Sequence, residues 1–569
     1  MEEKLLTRAD LLLRCDIQNI LVNGVKDENP RPRYADGTQA HTYFVTHNLR
    51  QYHMDKGEFP VCTLRPIAWK TAIKEILAIY QNQSNKISEF ERYGCKWWKD
   101  WALEDGTIGK SYPYNLESHR PNEMKKKVVK VLRRIVPEKY KNLNIIPSFD
   151  MLPSVDNKIY FNKYIVIGKD EEKSKEIHNN RTRSYSKIQF INNGYITTIR
   201  TDEVGKYNGN LLNPYERTVF GVGYLGDYKA VPNFEEWEIK ILKRKWVAMM
   251  KRCYSKKYKE NSPTYENIFV HNEWHSFENF LKDVRYLPQY FLAKEEKFEN
   301  WHLDKDYYGS NAYSKNTCVF LKLKENVTYA RNNGCYKITD KNGNVFYDLT
   351  IAGFAETIQE NDYRKIHKDL QKSNKYQGFI IEKVEETDEY VYRYELSRNQ
   401  VVTLINDIKN NPYGRRHIIS FWNWANIDKK ALVECAYETI WTVRGEYLDM
   451  CLIQRSGDML TASGAGGINE IQYAALLMMV AKTTGYKPGK FTHVVINEQI
   501  YDKHIEQAKE LVLRCEGFKS KGGQYDYEFE NVKMEFNPKS DDFYDFTIDD
   551  FNLVGYEPQK PQLTFELGI

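Results

Sequence analysis

The stretch Ala431-Leu-Val-Glu-Cys435-Ala-Tyr-Glu-Thr-Ile440, with Leu452-Ile-Gln-Arg455-Ser-Gly-Asp458 after it, is the most informative part of this chain. A cysteine among apolar residues is typical of a buried core thiol. A cysteine followed by an arginine, a serine and an aspartate is also typical of a nucleophile beside an anion site, because a guanidinium lowers the pKa of a nearby thiol. On this stretch alone, both interpretations are open.

Length and composition indicate a multidomain protein with packed cores. The chain has 569 residues, 41% of them hydrophobic and 28% charged, which favours about three to four domains. No apolar run approaches the roughly 18–20 residues that cross a bilayer, and the first residues lack the order of a signal peptide. Nine scattered cysteines without a Cys-x-x-Cys pair argue against a disulfide framework. We therefore expect a cytoplasmic protein with no membrane partner.

The charge is unevenly distributed along the chain. Residues 118–396 contain 48 Lys and Arg against 38 Asp and Glu, whereas the flanks contain 35 against 40. A basic middle between acidic ends predicts DNA or RNA as a partner of the middle. A solvated basic surface is the alternative, and composition does not separate the two.

The spacing of apolar residues predicts a mixed α+β protein. It predicts helices over residues 5–25, 67–83, 237–254 and 400–409. Asn192-Asn-Gly194 predicts a hairpin, and the glycine-spaced residues 219–226 predict a strand edge. Glu75 falls among apolar neighbours of its predicted helix, where a carboxylate is either paired or functional.

Motifs at both ends of the chain occur in one family's order. The first piece has residues 57–66, Glu75, residues 105–109 and Tyr112; the last has Arg415-Arg416, Glu434-Cys435, residues 454–458, Asn469, Ile500-Tyr501 and a terminal Leu-Gly-Ile569. These pieces resemble thymidylate synthase of the bacterial and phage type. The resemblance implies an N-terminal part over 1–117, a C-terminal part over 397–569 and about 280 inserted residues, hence a synthase fold split in two.

The resemblance implies a catalytic set of four residues: Cys435, Arg455, Glu75 and Tyr112. In this family the thiolate adds to carbon 6 of dUMP, and methylenetetrahydrofolate supplies the methylene carbon and the hydride. Cys435 would be the nucleophile and Arg455 would lower its pKa. Glu75 and Tyr112 would move protons through ordered water.

The resemblance also implies binding residues and a homodimer. Those for dUMP are Arg31, Arg415, Arg416, Arg455, Ser456, Asp458, Asn469, Gln499 and Tyr501; those for folate are Trp98, Asp458 and Ile569. The arginines match phosphate geometry, and in this family the paired arginines come from the partner subunit. Asn469 corresponds to the amide that reads uracil, while Gln499 stands where the family usually has histidine.

The inserted residues resemble other families. Residues 118–215 are a basic, mixed region, residues 216–332 resemble HNH-type endonucleases of phage introns, and residues 333–396 resemble their modular DNA-binding repeats. The first resemblance implies a ββα-metal region in which Asp304, Asp306, Asn311 and Asn316 hold Mg²⁺. The second implies a helix-turn-helix-like module that binds DNA through Arg364, Lys365 and Lys368. Ordinary turn residues and a packing helix are the alternatives.

Three further interpretations stay open. The chain is chiefly a homing endonuclease that carries synthase halves as passengers, or it is a deoxyuridylate hydroxymethyltransferase, in which water instead of hydride ends the reaction. Alternatively, the insertion is an intron reading frame joined to the upstream exon. No His-Asn ending stands near residue 395, so protein splicing is not indicated.

Overall fold

The contacts of the computed structural model divide the chain into two units. Unit 1 is Met1–Met124 with Leu396–Ile569, and unit 2 is Lys125–Glu395. The structure describes residues 6–118, 126–130, 135–142, 146–175, 177–178, 181–206, 211–323, 326, 334–348, 351–360, 362–385, 390–394, 396–515, 532–566 and 568. The finer division at residues 117, 215, 332 and 396 stays a prediction.

The described helices are, in chain order, α1 Arg8–Asn23, α2 Trp69–Leu77, α3 Ile87–Arg92, α4 Glu236–Tyr254, α5 Lys256–Asn261, α6 Phe277–Val284, α7 Tyr290–Glu295, α8 Ile351–Thr357, α9 Tyr363–Leu370, α10 Gln400–Asn410, α11 Ile468–Thr484 and α12 Ile505–Leu513. None of these described helices combines the length and the apolar character that a membrane crossing requires.

The described strands are β1 Val25–Lys26, β2 Thr42–His53, β3 Lys126–Lys130, β4 Ile159–Tyr160, β5 Tyr164–Lys169, β6 Ile177–His178, β7 Arg181–Thr182, β8 Tyr185–Phe190, β9 Ile196–Arg200, β10 Phe269–Val270, β11 Trp301–Asp304, β12 Ala312–Tyr313, β13 Val319–Lys322, β14 Gly334–Thr339, β15 Val345–Asp348, β16 Lys375–Tyr376, β17 Phe379–Glu385, β18 Tyr390–Tyr394, β19 Ile418–Ser420, β20 Ala436–Arg444, β21 Tyr447–Gln454, β22 Gly457–Asp458, β23 Lys487–Tyr501, β24 Lys533–Phe536 and β25 Phe551–Val554.

Unit 1 is built on one mixed sheet in the order β1-β2-β23-β21-β20-β19, with β22 also paired to β23. β21 and β22 run parallel to β23, and the other pairs are antiparallel. Helix α11, buried along nearly its whole length, packs between this sheet and α2. A helix that is apolar all round must be buried on all sides. The mixed α+β class predicted from the sequence is confirmed for this unit.

The first two predicted helices form with shorter bounds. α1 begins at a capping box, in which the Thr7 hydroxyl accepts from the backbone of Asp10 while the Asp10 carboxylate accepts from the backbone of Thr7. It ends at Gly24, as the sequence predicts. The second predicted helix is α2, which changes into a π-helical turn over Ala78–Asn82. That turn widens the helix three residues after Glu75, and such turns are frequent at functional sites.

A buried ion-pair cluster around Arg50 fixes the sheet to α1 and α11. The Arg50 guanidinium is 3.2 Å from the Asp16 carboxylate and 3.1 Å from that of Glu470, and it also pairs with Glu498. A buried charge without a partner costs several kcal/mol. Because three carboxylates contact one guanidinium, this cluster holds α1, β2, α11 and β23 in a fixed arrangement.

The two chain segments that border the insertion are hydrogen-bonded to each other. Glu117 forms an antiparallel bridge with Asn399. The Ser118 amide donates to the Arg398 carbonyl at 3.0 Å, and the Arg398 amide donates to the Ser118 hydroxyl at 2.9 Å. The Ser397 hydroxyl donates to the Glu117 carboxylate at 2.6 Å. The backbone of unit 1 is therefore nearly continuous across the insertion point, and we call residues 117–118 with 397–399 the junction.

Unit 2 contains several small sheets and two helical groups. Its first sheet is β4-β5-β8-β9, in which β8 and β9 form the hairpin predicted at residues 192–194. α4 is the helix predicted from 237, and its buried side includes Trp246, Met249 and Met250. The strand edge predicted over 219–226 is wrong. Those residues make only two isolated bridges, Val219 to Gly223 and Tyr224 to Ser276, because their glycines close a turn.

The last part of unit 2 has the predicted order of strand, helix, turn, helix and strand. β15-β14-β17-β16 form an antiparallel sheet, and α8 and α9 cover one face of it. Ile338, Phe354 and Ile366 lie in the core between them. This order of elements is confirmed, whereas the DNA-binding role stays a prediction.

Candidate active site

Cys435 and Arg455 are brought together by neighbouring strands. β20 begins directly after Cys435 and β21 ends directly before Arg455, and Ala436 lies opposite Gln454 in the antiparallel register. The Arg455 amide donates to the Cys435 carbonyl at 2.9 Å. The Arg455 Nη2 atom is 3.6 Å from the Cys435 sulfur. The half-buried thiol therefore has a guanidinium as its nearest cation.

The pKa of Cys435 is raised, not lowered. Burial is the largest cause; the Arg455 charge opposes it and the Glu434 charge adds to it. Arg455 also donates through Nε to the Glu434 carbonyl and through Nη2 to the Val433 carbonyl, each at 2.9 Å. The expected lowering by Arg455 is present, but desolvation of the thiol outweighs it.

Glu434 joins the two pieces of unit 1 directly beside the nucleophile. One of its carboxylate oxygens accepts from the Tyr112 amide at 2.8 Å and from the Asn115 side chain at 3.2 Å. The other pairs with the Lys430 ammonium. Glu434 is fully buried. Sequence reasoning did not name this residue as functional, although a carboxylate within the apolar stretch 431–436 was the available signal.

Tyr112 lies over the backbone of the nucleophile. Its hydroxyl accepts from the Cys435 amide at 3.3 Å, and its ring contacts the rings of Trp98 and Phe421 edge-on. Its φ of 34° is in the left-handed region, which a bulky residue rarely adopts. Such strain is typical of functional sites, where the surrounding structure holds the residue in place.

Glu75 is buried and accepts three hydrogen bonds. Trp98 and Trp97 donate to one oxygen at 2.7 and 3.3 Å, and Gln472 donates to the other at 2.6 Å. Burial raises the pKa of Glu75 to about 7, although the three donors act in the opposite direction. A carboxyl with this pKa both holds and releases a proton near neutral pH. Trp98, predicted for folate, lies here as a partner of Glu75.

Asn469, at the start of α11, is oriented by two glutamines. Its oxygen accepts from Gln454 at 3.3 Å, and its nitrogen donates to Gln472 at 3.1 Å. Gln454 in turn contacts the buried His493 at 3.0 Å. Since Gln472 also donates to Glu75, one chain of amides joins Asn469 to the buried carboxyl. Neither glutamine was named from the sequence as a functional residue.

The remaining predicted residues of this end of the sheet, Ser456, Asp458, Gln499 and Tyr501, lie on or next to β22 and β23. Burial, together with the Asp458 and Cys435 charges, raises the pKa of Tyr501 to about 12. The Asp458 carboxylate accepts from the Thr461 hydroxyl at 2.5 Å. Gln499 is paired with Asp458 in the β22–β23 register. Ser456 is half-buried beside Arg455.

The other three arginines predicted for dUMP are exposed and lie apart from this group. No hydrogen bond or ion pair between described residues joins Arg31, Arg415 or Arg416 to the Cys435 cluster. Arg415 and Arg416 line a cavity of about 490 Å³ after α10. Ile569 lies outside the described residues, but a Cβ added to Gly568 would come within 2.8 Å of the Tyr501 ring. Gly568 therefore lies against the same tyrosine.

Three of the four residues predicted to hold Mg²⁺ have hydrogen-bond or ion-pair partners within the chain. Both ends of the Asn311 amide are hydrogen-bonded to the backbone of Val136, and Asp306 pairs with Lys305. The Asp304 carboxylate accepts from the Tyr307 amide at 2.8 Å. No three His, Cys, Asp or Glu side chains of the described residues are grouped to hold a metal ion. The Mg²⁺ role of the four residues stays a prediction.

The residues predicted to bind DNA are exposed on α9, but two of them have acidic partners. Arg364 pairs with Asp362 at 2.7 Å, and Lys365 pairs with Glu360 at 3.3 Å. Lys368 is exposed on the same helix. Contact with DNA would have to break the two exposed ion pairs, each of which is worth roughly 0–1 kcal/mol.

Comparison with known proteins assigns the fold around Cys435. The sequence pattern of the family described as thymidylate synthase matches residues 15–151 and 313–569, which is more than half of the chain. The chain belongs to the thymidylate synthase family. Members of this family are methyltransferases that use methylenetetrahydrofolate as a co-substrate. The matched residues extend past the edges of unit 1 at 124 and 396. The contacts still end unit 1 at those edges, because the junction joins its two segments there.

Two curated relatives and one solved structure show how the similarity is distributed. A thymidylate synthase of Lactococcus lactis is 23% identical over 572 aligned residues, which cover 99% of this chain and 100% of that protein. One of Streptococcus agalactiae is 41% identical over 181 residues, which cover 30% of this chain and 58% of that protein. Thermostable thymidylate synthase A from Bacillus subtilis aligns with a TM-score of 0.44 and 18% identity over 99% of this chain and 100% of its own.

Proposed function

We propose that unit 1 converts dUMP to dTMP with methylenetetrahydrofolate, through a covalent adduct on Cys435. The observation that carries this proposal is the group formed by the Cys435 thiol, the Arg455 guanidinium 3.6 Å from it and the Tyr112 hydroxyl on the Cys435 amide. Family membership supplies the reaction class. The residues and their roles are our own assignment.

The chemistry needs a thiolate, because carbon 5 of uracil is a poor nucleophile. Addition of the thiolate to carbon 6 converts the ring into an enolate, and carbon 5 of that enolate is nucleophilic. In the proposed reaction the Cys435 sulfur adds to carbon 6, and carbon 5 then bonds to the methylene carbon of the folate. Carbon 5 loses its proton, tetrahydrofolate leaves, and hydride from it reduces the exocyclic methylene as the sulfur departs. The products are dTMP and dihydrofolate. Arg455 favours the thiolate against the burial that raises its pKa.

Asn469 is suited to read the uracil edge. Each end of its amide makes one hydrogen bond to a glutamine, which leaves one lone pair and one hydrogen for a ligand. Uracil offers a matching N–H and carbonyl side by side. Gln472 links this amide to Glu75, so base recognition and the proton-carrying carboxyl share one network.

Product analysis tests the proposal. Full-length protein given dUMP and methylenetetrahydrofolate should form dTMP and dihydrofolate in equal amounts. Hydroxymethyl-dUMP together with tetrahydrofolate would instead identify the hydroxymethyltransferase alternative. If no nucleotide product forms and magnesium-dependent cleavage of DNA is observed, the synthase proposal is wrong and the endonuclease alternative gains support.

We further propose that Arg415 and Arg416 act on the dUMP phosphate of a partner subunit in a symmetric homodimer. Their exposure and their separation from Cys435 within one chain support this. Mixing inactive Cys435→Ser and Arg416→Ala proteins should then restore activity, because half of the dimers are mixed and one site in each has both residues. The expected recovery is about a quarter of wild type, measured as dihydrofolate formation after subunit exchange.

A matched mixture controls this experiment. Glu75 and Cys435 lie in the same unit of one chain, so mixing Cys435→Ser with Glu75→Gln should restore nothing. Equal recovery in both mixtures, or none in either, would contradict the assignment of the arginines to the partner subunit.

Removal of the insertion tests the independence of unit 1. Replacing residues 119–395 with a short Gly-Ser linker should leave dihydrofolate formation within about threefold of the full chain, because the junction already joins the ends and short loops close at low cost. A longer deletion that also removes Glu117 and Asn399 is the control and should fail to fold. Loss of activity in the shorter deletion would show that unit 1 depends on unit 2.

For unit 2 we propose DNA binding. The excess of Lys and Arg over residues 118–396 and the exposed basic side of α9 support this proposal. Whether the native transcript retains the insertion is decided by sequencing it; messages that all retain the block would contradict the intron interpretation.

A further inference from the structure

Arg252, on the last turn of α4, has a cationic side chain without a hydrogen-bond acceptor. Its Nε atom is buried and unpartnered, and its guanidinium lies 5.4 Å above the centre of the Tyr313 ring. The described residues provide it with no ion pair. A guanidinium has five N–H donors, and leaving a buried one unpaired costs several kcal/mol.

Lys245 lies seven residues earlier on the same helix, and so on the same side of it. Its ammonium donates to the Trp301 carbonyl, which is a neutral acceptor. Burial, together with the Arg252 and Arg244 charges, lowers the pKa of Lys245 to about 8. Lys245 therefore lies within reach of the Arg252 charge, and the described residues place no carboxylate against it.

The ion pair of Lys294 and Glu238 in unit 2 shows the usual arrangement, in which a cation inside the protein has a carboxylate as its partner. Lys294 is 3.4 Å from the fully buried Glu238, so that charge is compensated within the protein. Arg252 and Lys245 differ because these two cations share one half-buried side of α4, and the part of the chain that the structure describes places no carboxylate beside them. A buried guanidinium nitrogen without an acceptor among the described residues, on the same side of a helix as a second cation, indicates a site for a bound anion.

We propose that Lys245 and Arg252 form a binding site for a phosphate ester, supplied by the backbone of a nucleic acid. The planar fork of arginine and the point charge of lysine together match a phosphate group. The positive excess of the surrounding block favours a polyanion over a small carboxylate. This site rests on the DNA binding proposed for unit 2, and it does not depend on the synthase activity of unit 1.

The test measures binding of a short, random-sequence DNA duplex to the full-length protein by fluorescence anisotropy across a salt series. Arg252→Met and Lys245→Met should each weaken binding about tenfold at low salt and reduce the slope of log affinity against log salt by about one. Lys251→Met removes the same charge from an exposed neighbour and should change affinity less than twofold. Equal losses in all three variants would indicate a general charge effect and overturn the site.

Calorimetry with inorganic phosphate separates the two sources of the anion. Phosphate binding that is lost in Arg252→Met, with no duplex binding, would support the site but assign it to a free phosphate. No binding of either probe would overturn the proposal. The unfolding temperature of Arg252→Met should be unchanged or higher than that of the wild type, since an unpaired buried charge is removed. If this variant does not fold, Arg252→Lys replaces it in the test, because lysine keeps the charge and loses the planar fork of the guanidinium.

Discussion

Replacing Cys435 with serine should lower turnover by about 10⁴-fold or more, the loss typical of removing an enzyme's nucleophile. A serine hydroxyl has nearly the size of the thiol but does not ionise beside Arg455 as a thiol does. Binding of dUMP should change little, because neither the arginines nor Asn469 are altered. The measurement is dihydrofolate formation, together with a mass spectrum of the protein after incubation with 5-fluoro-dUMP and methylenetetrahydrofolate.

The wild-type protein should form a covalent adduct in that experiment and Cys435→Ser should not. Cys15→Ser is the matched control, because Cys15 is an exposed thiol on α1; its turnover and adduct should equal those of the wild type. A Cys435→Ser protein that keeps more than a tenth of the activity would exclude Cys435 as the nucleophile and return it to the role of a core thiol.

Replacing Glu75 with glutamine should lower turnover by about 10²–10⁴-fold, the range for loss of a positioned acid–base group. Glutamine has the same size, and its side-chain oxygen can still accept from Trp97 and Trp98, so the fold should persist. The wild-type rate should change slope near pH 7, because burial raises the pKa of Glu75 to about 7. Below that pH the carboxyl holds its proton, and above it the carboxylate accepts one.

In Glu75→Gln this change of slope should disappear. Glu91→Gln is the control, because Glu91 is a surface carboxylate paired with Lys99; this variant should keep both the rate and the pH profile of the wild type. A Glu75→Gln protein with a small loss and an unchanged profile would show that Glu75 only stabilises the fold. The pH profile separates the two roles, because the loss of a purely structural residue would not remove the change of slope near pH 7.

Part of the site was predictable because its residues are close in sequence or lie on regular elements. Cys435 and Arg455 meet because two strands joined by a short turn place their ends side by side, a relation that local spacing indicates. Glu75 was identifiable as a carboxylate on the apolar side of a helix. The direction of the Cys435 pKa was not predictable, because it depends on how much burial outweighs one guanidinium.

Other parts required the tertiary structure. Glu434 gains its role from Tyr112 and Asn115, which lie more than 300 residues earlier, and no local pattern indicates such a contact. Gln454 and Gln472 carry no sign of function in the sequence, because their role depends on hydrogen bonds to Asn469 that form only in the folded chain. The sequence also did not indicate the partners of Asp304, Asp306 and Asn311, which are backbone groups and Lys305 in the folded chain.

The junction has a consequence for how the chain is made. The ribosome releases residues 1–118 first, but their partners around Cys435 emerge only after the whole of unit 2. During that interval the N-terminal part of unit 1 exposes apolar surface that α11 and β23 later cover, while unit 2 already has its complete sequence. Early folding of unit 2 would bring residues 118 and 396 together and shorten the effective loop, so the insertion would promote assembly of unit 1 during synthesis.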